Sequence, residues 1–199
     1  MGKTNVPDHA LTDASDTVLI IIDVQKEFLD KMAPEQWLPI VNRIGWIVEI
    51  AGRMKVPIVV TAENTGRNDA TIPQVSEKLP PGTTEYNKMS FGLTGEPDIM
   101  AAIEGTHRKT AVLAGLETDV CVCQSALGLL QKNYRVVVLA DAVASPGPSH
   151  EFGIERMRNA GVIISSVKGI FYEWVRTVQR CDLEFKDVYN GKQPDGIYL

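Results

Sequence analysis

The sequence is poor in the residues from which disulfide frameworks and metal sites are usually built. Its 199 residues include three cysteines and three histidines, and its polar start, Met1-Gly-Lys-Thr-Asn, lacks the apolar core of a signal peptide. An odd number of cysteines without such a signal argues against a disulfide framework. We therefore expect free thiols and a cytoplasmic location.

Basic charge and long apolar runs are scarce as well. Lys and Arg together number 20 against 25 Asp and Glu, which gives a net charge of −5. Nucleic-acid binding normally needs a concentrated basic patch, and a bilayer span needs about 20 continuous apolar residues. Neither feature is present, so we expect no nucleic acid or membrane partner. The expected partners are a small-molecule substrate and further copies of the chain.

Apolar segments without alternation recur along the chain, which is typical of strands covered on both faces. They lie at 17–23, 57–62, 110–115, 134–140 and 161–166. Helical patterns lie at 34–54, 96–104, 119–132, 148–160 and 168–178. This order predicts an α/β fold with a doubly wound, mostly parallel sheet, in a Rossmann-like three-layer α/β/α arrangement.

No shift in composition divides the chain, so we expect a single domain over residues 1–199. Its core should span about 16–180, followed by an extended tail at about 187–199 that packs on a neighbouring subunit. The stretch 62–82 shows little periodicity and several Gly, Pro and Asp breakers. It predicts a long loop over the carboxyl edge of the sheet, where it would serve as a lid.

Cys121 stands where an apolar strand passes into a helical segment. Unpaired N–H groups at a helix N-terminus favour a thiolate and can hold a developing oxyanion. Asp23 ends the first strand and Lys88 follows a short segment of its own. Because ligands of such folds bind at the carboxyl ends of the strands, we expect these three side chains to lie close together.

Together these residue types indicate acyl transfer to water through a thioester. Asp23, its pKa raised by burial, would accept the thiol proton; Lys88 would keep Asp23 ionised and lower the thiol pKa. Each residue also fits a structural role: Asp23 as a turn cap, Lys88 as a surface charge, Cys121 as a core residue. A metal at Cys121 and Cys123 is disfavoured, because side chains two positions apart point to different sides of a helix.

Three motifs in order resemble the isochorismatase-like cysteine hydrolase superfamily, which includes nicotinamidases and N-carbamoylsarcosine amidohydrolases. They are Ile20–Phe28, Lys88–Phe91 and Ala114–Val122, followed by Ala140-Asp-Ala142. The resemblance implies that Asp23 is the general base, Lys88 the active-site lysine and Cys121 the nucleophile. It also implies a non-proline cis peptide bond at Leu116–Glu117 and an oxyanion hole formed by the backbone N–H groups of Glu117 and Cys121.

The sequence departs from the nicotinamidase pattern after the second strand. Nicotinamidases carry an Asp-x-His motif and a further histidine there, which hold a metal, whereas 61–69 reads Thr-Ala-Glu-Asn-Thr-Gly-Arg-Asn-Asp. The histidines of this chain are His9, His107 and His150. We therefore expect no metal and no organic cofactor.

An intact Cys121 favours cleavage of a C–N bond in an amide, ureido or carbamoyl group, because isochorismatases cleave a vinyl ether without needing the cysteine. Two alternatives stay open: a vinyl-ether hydrolase, and a catalytically silent metabolite-binding or scaffold oligomer of the same fold.

We expect the substrate pocket to be lined by Gln25, Phe28, Asn64 and Phe91. Other residues that could reach its mouth are Trp37, Glu63, Arg67, Tyr172 and Trp174. Asp119 is expected to cap the helix that follows. Family members are commonly homo-oligomers, and Phe171, Tyr172 and Trp174 could serve a subunit interface.

Overall fold

The computed structural model describes residues 11–191 and 193–199, which form a parallel sheet between two layers of helices. The strands in this part of the chain are β1 (Thr17–Ile22), β2 (Ile58–Glu63), β3 (Glu85–Lys88), β4 (Thr110–Leu116), β5 (Arg135–Ala144) and β6 (Ile163–Ser165). They form a sheet in the order β3-β2-β1-β4-β5-β6, with every neighbouring pair parallel. The predicted α/β, doubly wound fold is confirmed.

Helices fill most of the connections between the strands. They are α1 (Lys26–Leu29), α2 (Pro34–Arg53), α3 (Thr65–Asn68), α4 (Pro73–Ser76), α5 (Pro97–Gly105), α6 (Cys123–Gln131), α7 (Ser149–Asn159), α8 (Val167–Val175), α9 (Val178–Glu184) and α10 (Lys186–Asn190). A π-helical turn, Thr118–Val122, precedes α6. No helix of the described part is both long and apolar enough to cross a membrane.

The apolar run of β1 supplies both faces of the sheet. Leu19 and Ile21 pack into the core layer that contains α2 and α8, whereas Val18, Ile20 and Ile22 pack into the layer of α5, α6 and α7. All five side chains are 0% exposed. Successive side chains of a strand point to opposite faces, so an unbroken apolar run is what a central, doubly covered strand requires.

The strand order reverses between β1 and β4, which lie side by side although β2 and β3 separate them in sequence. Gly115 of β4 has φ +129, and a Cβ at that position would lie 1.9 Å from the carbonyl oxygen of Ile22. Glycine is therefore required where β4 passes the end of β1. This reversal is the point at which doubly wound folds bind ligands.

Several elements differ from the expectations. The stretch 62–82 contains the short helices α3 and α4, and β3 was not among the predicted strands. The predicted strand 134–140 continues to Ala144, because its pairing with β4 shifts between Leu113 and Gly115 and resumes at Val143. The predicted helix 119–132 begins as the π-helical turn.

The carboxy-terminal part of the chain also differs from the sequence-based expectation. The tail expected to be extended from residue 187 begins within α10, and Ile197 is buried in the chain's own core. Phe171 and Trp174, which were considered for a subunit interface, are buried inside the same chain. Residues 1–10, which include His9 and the polar start used to predict the location, lie outside the described residues.

Candidate active site

Three strand ends bring Asp23, Lys88 and Cys121 together. Asp23 follows β1, Lys88 is the last residue of β3, and Cys121 lies in the turn between β4 and α6. The Lys88 ammonium nitrogen is 2.9 Å from Asp23 Oδ2 and 3.6 Å from Cys121 Sγ. A thiol, a carboxylate and a cation therefore share one contact group, as the sequence predicted.

Asp23 is held in place by the neighbouring strand. Its backbone adopts φ 51, and its N–H donates to the carbonyl of Thr61 at 3.0 Å. The Thr61 hydroxyl donates to Asp23 Oδ1 at 2.8 Å. Burial raises the pKa of the Asp23 carboxyl, and Lys88 and Thr61 oppose that rise by stabilising the carboxylate.

Lys88 is fully buried, and carbonyl oxygens surround its ammonium group in addition to Asp23. It donates to the carbonyls of Ser90 at 2.8 Å and Phe91 at 3.2 Å. Burial alone would lower the pKa of Lys88, but the nearby Asp23, Cys121 and Glu63 raise it above its ordinary value. The buried lysine therefore stays charged.

Glu63 is a second carboxylate at the thiol, although the sequence predicts it only near the mouth of the pocket. The Cys121 thiol donates to Glu63 Oε2 at 3.4 Å, and the same oxygen lies 3.9 Å from Lys88 Nζ. The position of Glu63 at the end of β2 was the available signal, because every strand end at this edge points toward the site.

Lys88 lowers the pKa of the Cys121 thiol, as expected, but its effect is outweighed and the net shift is upward. Burial raises the pKa of Cys121 well above its ordinary value, and the charges of Asp23 and Glu63 add to the effect while Lys88 opposes it. The thiol is therefore protonated at rest. A base must remove its proton before it can act as a nucleophile.

A cavity of about 240 Å³ opens onto Cys121. It is lined by Glu27, Phe28, Lys31, Glu63, Arg67, Asn68, Phe91, Glu117, Val120 and Cys121. Lys31 pairs with Glu117 at 2.9 Å and lies over the ring of Phe28 at 4.8 Å. Phe28 and Phe91, two of the four residues predicted for the substrate pocket, both line this cavity.

Gln25 and Asn64, in contrast, do not line the cavity. Gln25 is fully buried, and its amide contacts the backbone of β2 and of the segment after it. Asn64 adopts φ 43 directly after β2, and the chain turns so that Asn68 reaches the cavity in its place. Trp174 is buried in the core, and Trp37 and Tyr172 also lie away from this cavity.

The turn that carries the thiol follows β4 and is hydrogen-bonded to the residue that follows β5. The Leu116–Glu117 peptide bond is cis. Asp119 does not cap the helix; instead its carboxylate accepts a hydrogen bond from the Ser145 hydroxyl at 2.6 Å. This bond ties the turn to the carboxyl side of β5.

In the described residues, Asp23, Glu63 and Cys121 form a group whose oxygen and sulfur atoms lie within 4.8 Å of one another. Such a set could hold a cation. The Lys88 ammonium lies 2.9 Å from Asp23, 3.9 Å from Glu63 and 3.6 Å from Cys121. The lysine therefore supplies the positive charge that a metal would otherwise provide, and the residues present do not fit a resident metal.

A larger cavity of about 680 Å³ lies elsewhere, between α2 and α10. Its lining includes Trp46, Arg53 and Asp187 but none of the predicted catalytic residues. Size alone does not identify an active site, because the chemistry requires a nucleophile and a base in contact.

The sequence of this chain matches a known protein family. The family model named Isochorismatase domain matches residues 17–168. A protein named secreted isochorismatase effector Isc1 from Phytophthora sojae is 32% identical over 161 residues, covering 79% of this chain and 76% of the relative. Isochorismatase domain-containing protein 2 from Xenopus laevis is 27% identical over 161 residues, covering 79% and 75%.

Solved structures share the fold at lower sequence identity. The MAR1 ribonuclease from Caenorhabditis elegans superposes with a TM-score of 0.82 at 21% identity, covering 96% of this chain and 98% of that one. YcaC from Escherichia coli, described as an octameric hydrolase of unknown specificity, gives a TM-score of 0.80 at 20% identity, covering 93% and 96%. YcaC from Pseudomonas aeruginosa, solved with hexane-2,5-diol and covalent acrylamide, gives 0.82 at 21% identity, covering 92% and 91%.

Proposed function

The chain belongs to the isochorismatase family, whose members are hydrolases, and from that premise we propose that it is a metal-independent cysteine hydrolase. Its substrate is a small amide, ureido or carbamoyl compound, and the C–N bond is cleaved through a thioester on Cys121. The observation that carries this proposal is the contact of the Cys121 thiol with the buried Asp23–Lys88 ion pair at the floor of a cavity.

In the first half of the reaction, Asp23 acts as the base. One of its carboxylate oxygens lies within 4.8 Å of Cys121 Sγ. Asp23 takes the thiol proton as the sulfur attacks the carbonyl carbon, and the negative charge on the carbonyl oxygen is held by the backbone N–H groups of Glu117 and Cys121. The tetrahedral intermediate then collapses: the C–N bond breaks, and the nitrogen leaves with the proton from Asp23.

In the second half, Asp23 removes a proton from water, which attacks the thioester carbon. The C–S bond breaks, the acid product leaves, and the proton returns to the sulfur. Lys88 keeps Asp23 ionised at the start of each half and stabilises the developing thiolate. This base-assisted route suits a thiol whose pKa is raised by burial, because no thiolate has to exist at rest.

The names of the curated relatives favour a second candidate, a vinyl-ether hydrolase of the isochorismate type. The two candidates differ in their use of the cysteine. An amide hydrolase of this design needs Cys121, whereas vinyl-ether cleavage proceeds without it.

The test is a turnover assay on a panel of small amides, ureides, carbamoyl compounds and vinyl ethers, with Cys121→Ala and Cys123→Ala as a matched pair. We expect Cys121→Ala to lose C–N cleavage by at least about a thousandfold, the scale seen when a nucleophile is removed. Cys123, a buried residue of α6 outside the cavity, should be replaceable with most activity kept.

Three outcomes would count against the proposal. Equal loss in both variants would indicate folding damage, and vinyl-ether turnover that survives Cys121→Ala would favour the second candidate. Absence of any turnover in the wild type would favour a metabolite-binding or scaffold protein.

A homo-oligomer and a cytoplasmic location stay predictions for this chain. The octameric description belongs to YcaC, and the Phytophthora sojae relative is named as secreted.

A further inference from the structure

We propose that Glu63 sets the charge preference of the cavity floor, so that the site takes a neutral or cationic substrate and rejects one with a carboxylate beside the scissile carbonyl. Glu63 would accept an N–H from the substrate at this position. The inference rests on the proposed function, because it takes Cys121 as the reacting atom. It narrows the substrate class to compounds with an amino or amide N–H next to the reacting carbon.

The backbone of Glu63 is held firmly. The Gln25 side chain accepts from the Glu63 N–H at 2.7 Å and donates to the Glu63 carbonyl at 2.8 Å. Glu63 is also paired in register with Lys88 across β2 and β3. A buried glutamine and a parallel strand therefore fix the point from which this side chain enters the cavity.

Of the two carboxylates next to Lys88, Glu63 is the one that faces the cavity. Its side chain is 19% exposed, whereas that of Asp23 is 0% exposed. Glu63 lines the cavity beside Cys121, and Asp23 does not. A bound molecule whose reactive carbon touches the sulfur must therefore lie against Glu63, which is 3.4 Å from that sulfur.

The charge at the floor is not balanced. Lys88 lies 2.9 Å from Asp23 and 3.9 Å from Glu63, so one ammonium serves two carboxylates. Two further cations line the cavity: Lys31 is already paired with Glu117, and Arg67 is exposed to solvent, which screens its charge. A third carboxylate at the floor would meet net negative charge, which a low-dielectric cavity strengthens.

The hydrogen bond between Cys121 and Glu63 also favours a substrate with an N–H next to the reacting carbon. At rest, the Cys121 thiol donates to Glu63 Oε2. Once the sulfur has given up its proton and bonded to the substrate carbon, that oxygen has lost its donor. Covering this partly buried carboxylate oxygen with substrate while it lacks a donor is costly, and an N–H beside the scissile carbonyl would replace the lost donor.

The test uses two alkylating reagents that differ in charge beside the reacting carbon. Iodoacetamide presents a neutral amide and iodoacetate a carboxylate; with either, an S–C bond forms, the C–I bond breaks and iodide leaves. Both are added together, and the two products on the Cys121 peptide are counted by mass spectrometry. The iodoacetate-to-iodoacetamide product ratio at Cys121 is divided by the same ratio for free cysteine, which corrects for the different intrinsic reactivities of the two reagents. Because both reagents compete for the same thiol in one tube, the fraction of Cys121 present as thiolate affects both products equally.

The variants are Glu63→Gln, which removes the charge and keeps the shape, and Glu63→Asp, which keeps the charge. Glu27→Gln is the matched control, because Glu27 is an exposed carboxylate of the same cavity. Thermal unfolding of each variant verifies the fold.

We expect the normalised iodoacetate-to-iodoacetamide ratio at Cys121 to be roughly tenfold below that of free cysteine in the wild type and in Glu63→Asp. In Glu63→Gln it should rise by about fivefold or more, and in Glu27→Gln by less than about twofold, because the charge of an exposed, solvated carboxylate is screened by water.

A wild-type ratio equal to that of free cysteine would overturn the inference. An unchanged ratio in Glu63→Gln, an equal rise in Glu27→Gln, or no reaction of Cys121 with the neutral reagent would do the same. These outcomes are separable from failure of the proposed function, since the alkylation needs no turnover. Hydrolysis that survives Cys121→Ala would defeat the proposed function even if the charge ratio behaved as expected.

Discussion

At the scale of single residues, the proposed hydrolysis depends on how Asp23 is held ionised inside the protein. Burial favours its protonated form, and the Lys88 ammonium and the Thr61 hydroxyl favour the carboxylate. Only the carboxylate can take a proton from Cys121. The acid limb of activity should therefore follow the pKa of Asp23, above the ordinary range of an aspartate.

Thr61→Val removes the hydroxyl that donates to Asp23 Oδ1 and keeps the side-chain shape. Loss of this hydrogen bond raises the pKa of Asp23 further, so the acid limb of acylation should move to higher pH by about one unit. The check is the pH dependence of Cys121 acylation by p-nitrophenyl acetate. Thr65→Val, which removes a hydroxyl bonded to Asn87, is the control and should leave the limb in place. If the acid limb of the pH profile does not move in Thr61→Val, a group other than Asp23 controls that limb.

The residues Asp23, Lys88 and Cys121 could be predicted because each lies in a recognisable motif at a strand end. The contact between Glu63 and the thiol could not, since it depends on β2 lying beside β1 and on the direction of one side chain. Lys88 lowers the thiol pKa as predicted, but the larger upward effect of burial was missed for a related reason. A sequence shows that a lysine is near, but it does not show how completely the sulfur is buried.

At the scale of elements, α7 packs directly on the turn that carries Cys121. A Cβ on Gly153 would lie 2.8 Å from both the backbone nitrogen and the Cα of Asp119. Backbone cannot move aside as the end of a side chain can. The small residue therefore lets the helix support the turn 118–122.

Gly153→Ala should force α7 away from this turn. Although alanine is the better helix former, we expect a loss of about 1–3 kcal/mol in the free energy of unfolding, as in other overpacked sites, together with slower acylation of Cys121. Gly105→Ala, near the end of α5, meets no atom within 4 Å and should be neutral or slightly stabilising. Urea unfolding of both variants checks this. A neutral or stabilising Gly153→Ala would mean that the turn does not depend on close packing of α7.

Elements with strong periodicity were predicted, and short ones were not. The strands β1, β2 and β4 are mostly apolar, and α2 repeats apolar residues at helical spacing. In contrast, β3 has four residues, Glu-Tyr-Asn-Lys, most of them partly exposed or exposed. Its strand conformation comes from pairing with β2, a tertiary effect that composition does not reveal.

At the scale of the whole molecule, the carboxy-terminal tail joins the domain that contains the site. The Arg43 guanidinium of α2 donates to the carbonyl of Asp195 at 2.8 Å and to that of Asp141 in β5 at 3.1 Å. Ile197 is 2% exposed and belongs to the core layer of α2 and α8. The tail thus closes one face of the chain's own core.

Ile197→Ala should destabilise the protein by about 2–4 kcal/mol, because it removes buried apolar volume and leaves a cavity. Tyr198→Ala is the matched control, since Tyr198 is 77% exposed and should change stability by less than about 0.5 kcal/mol. Thermal unfolding compares the two. Equal stability of Ile197→Ala and wild type would show that the tail is not part of the folded core.

The central claim is that Cys121 forms a thioester, and acid-quenched mass spectrometry tests it most directly. p-Nitrophenyl acetate carries a small acyl group and a good leaving group, so the acyl-enzyme should accumulate. We predict an acetyl group on the Cys121 peptide of the wild type during turnover, and neither that adduct nor the turnover in Cys121→Ala. Turnover at the wild-type rate in Cys121→Ala, or acetylation elsewhere while Cys121 stays free, would contradict the account.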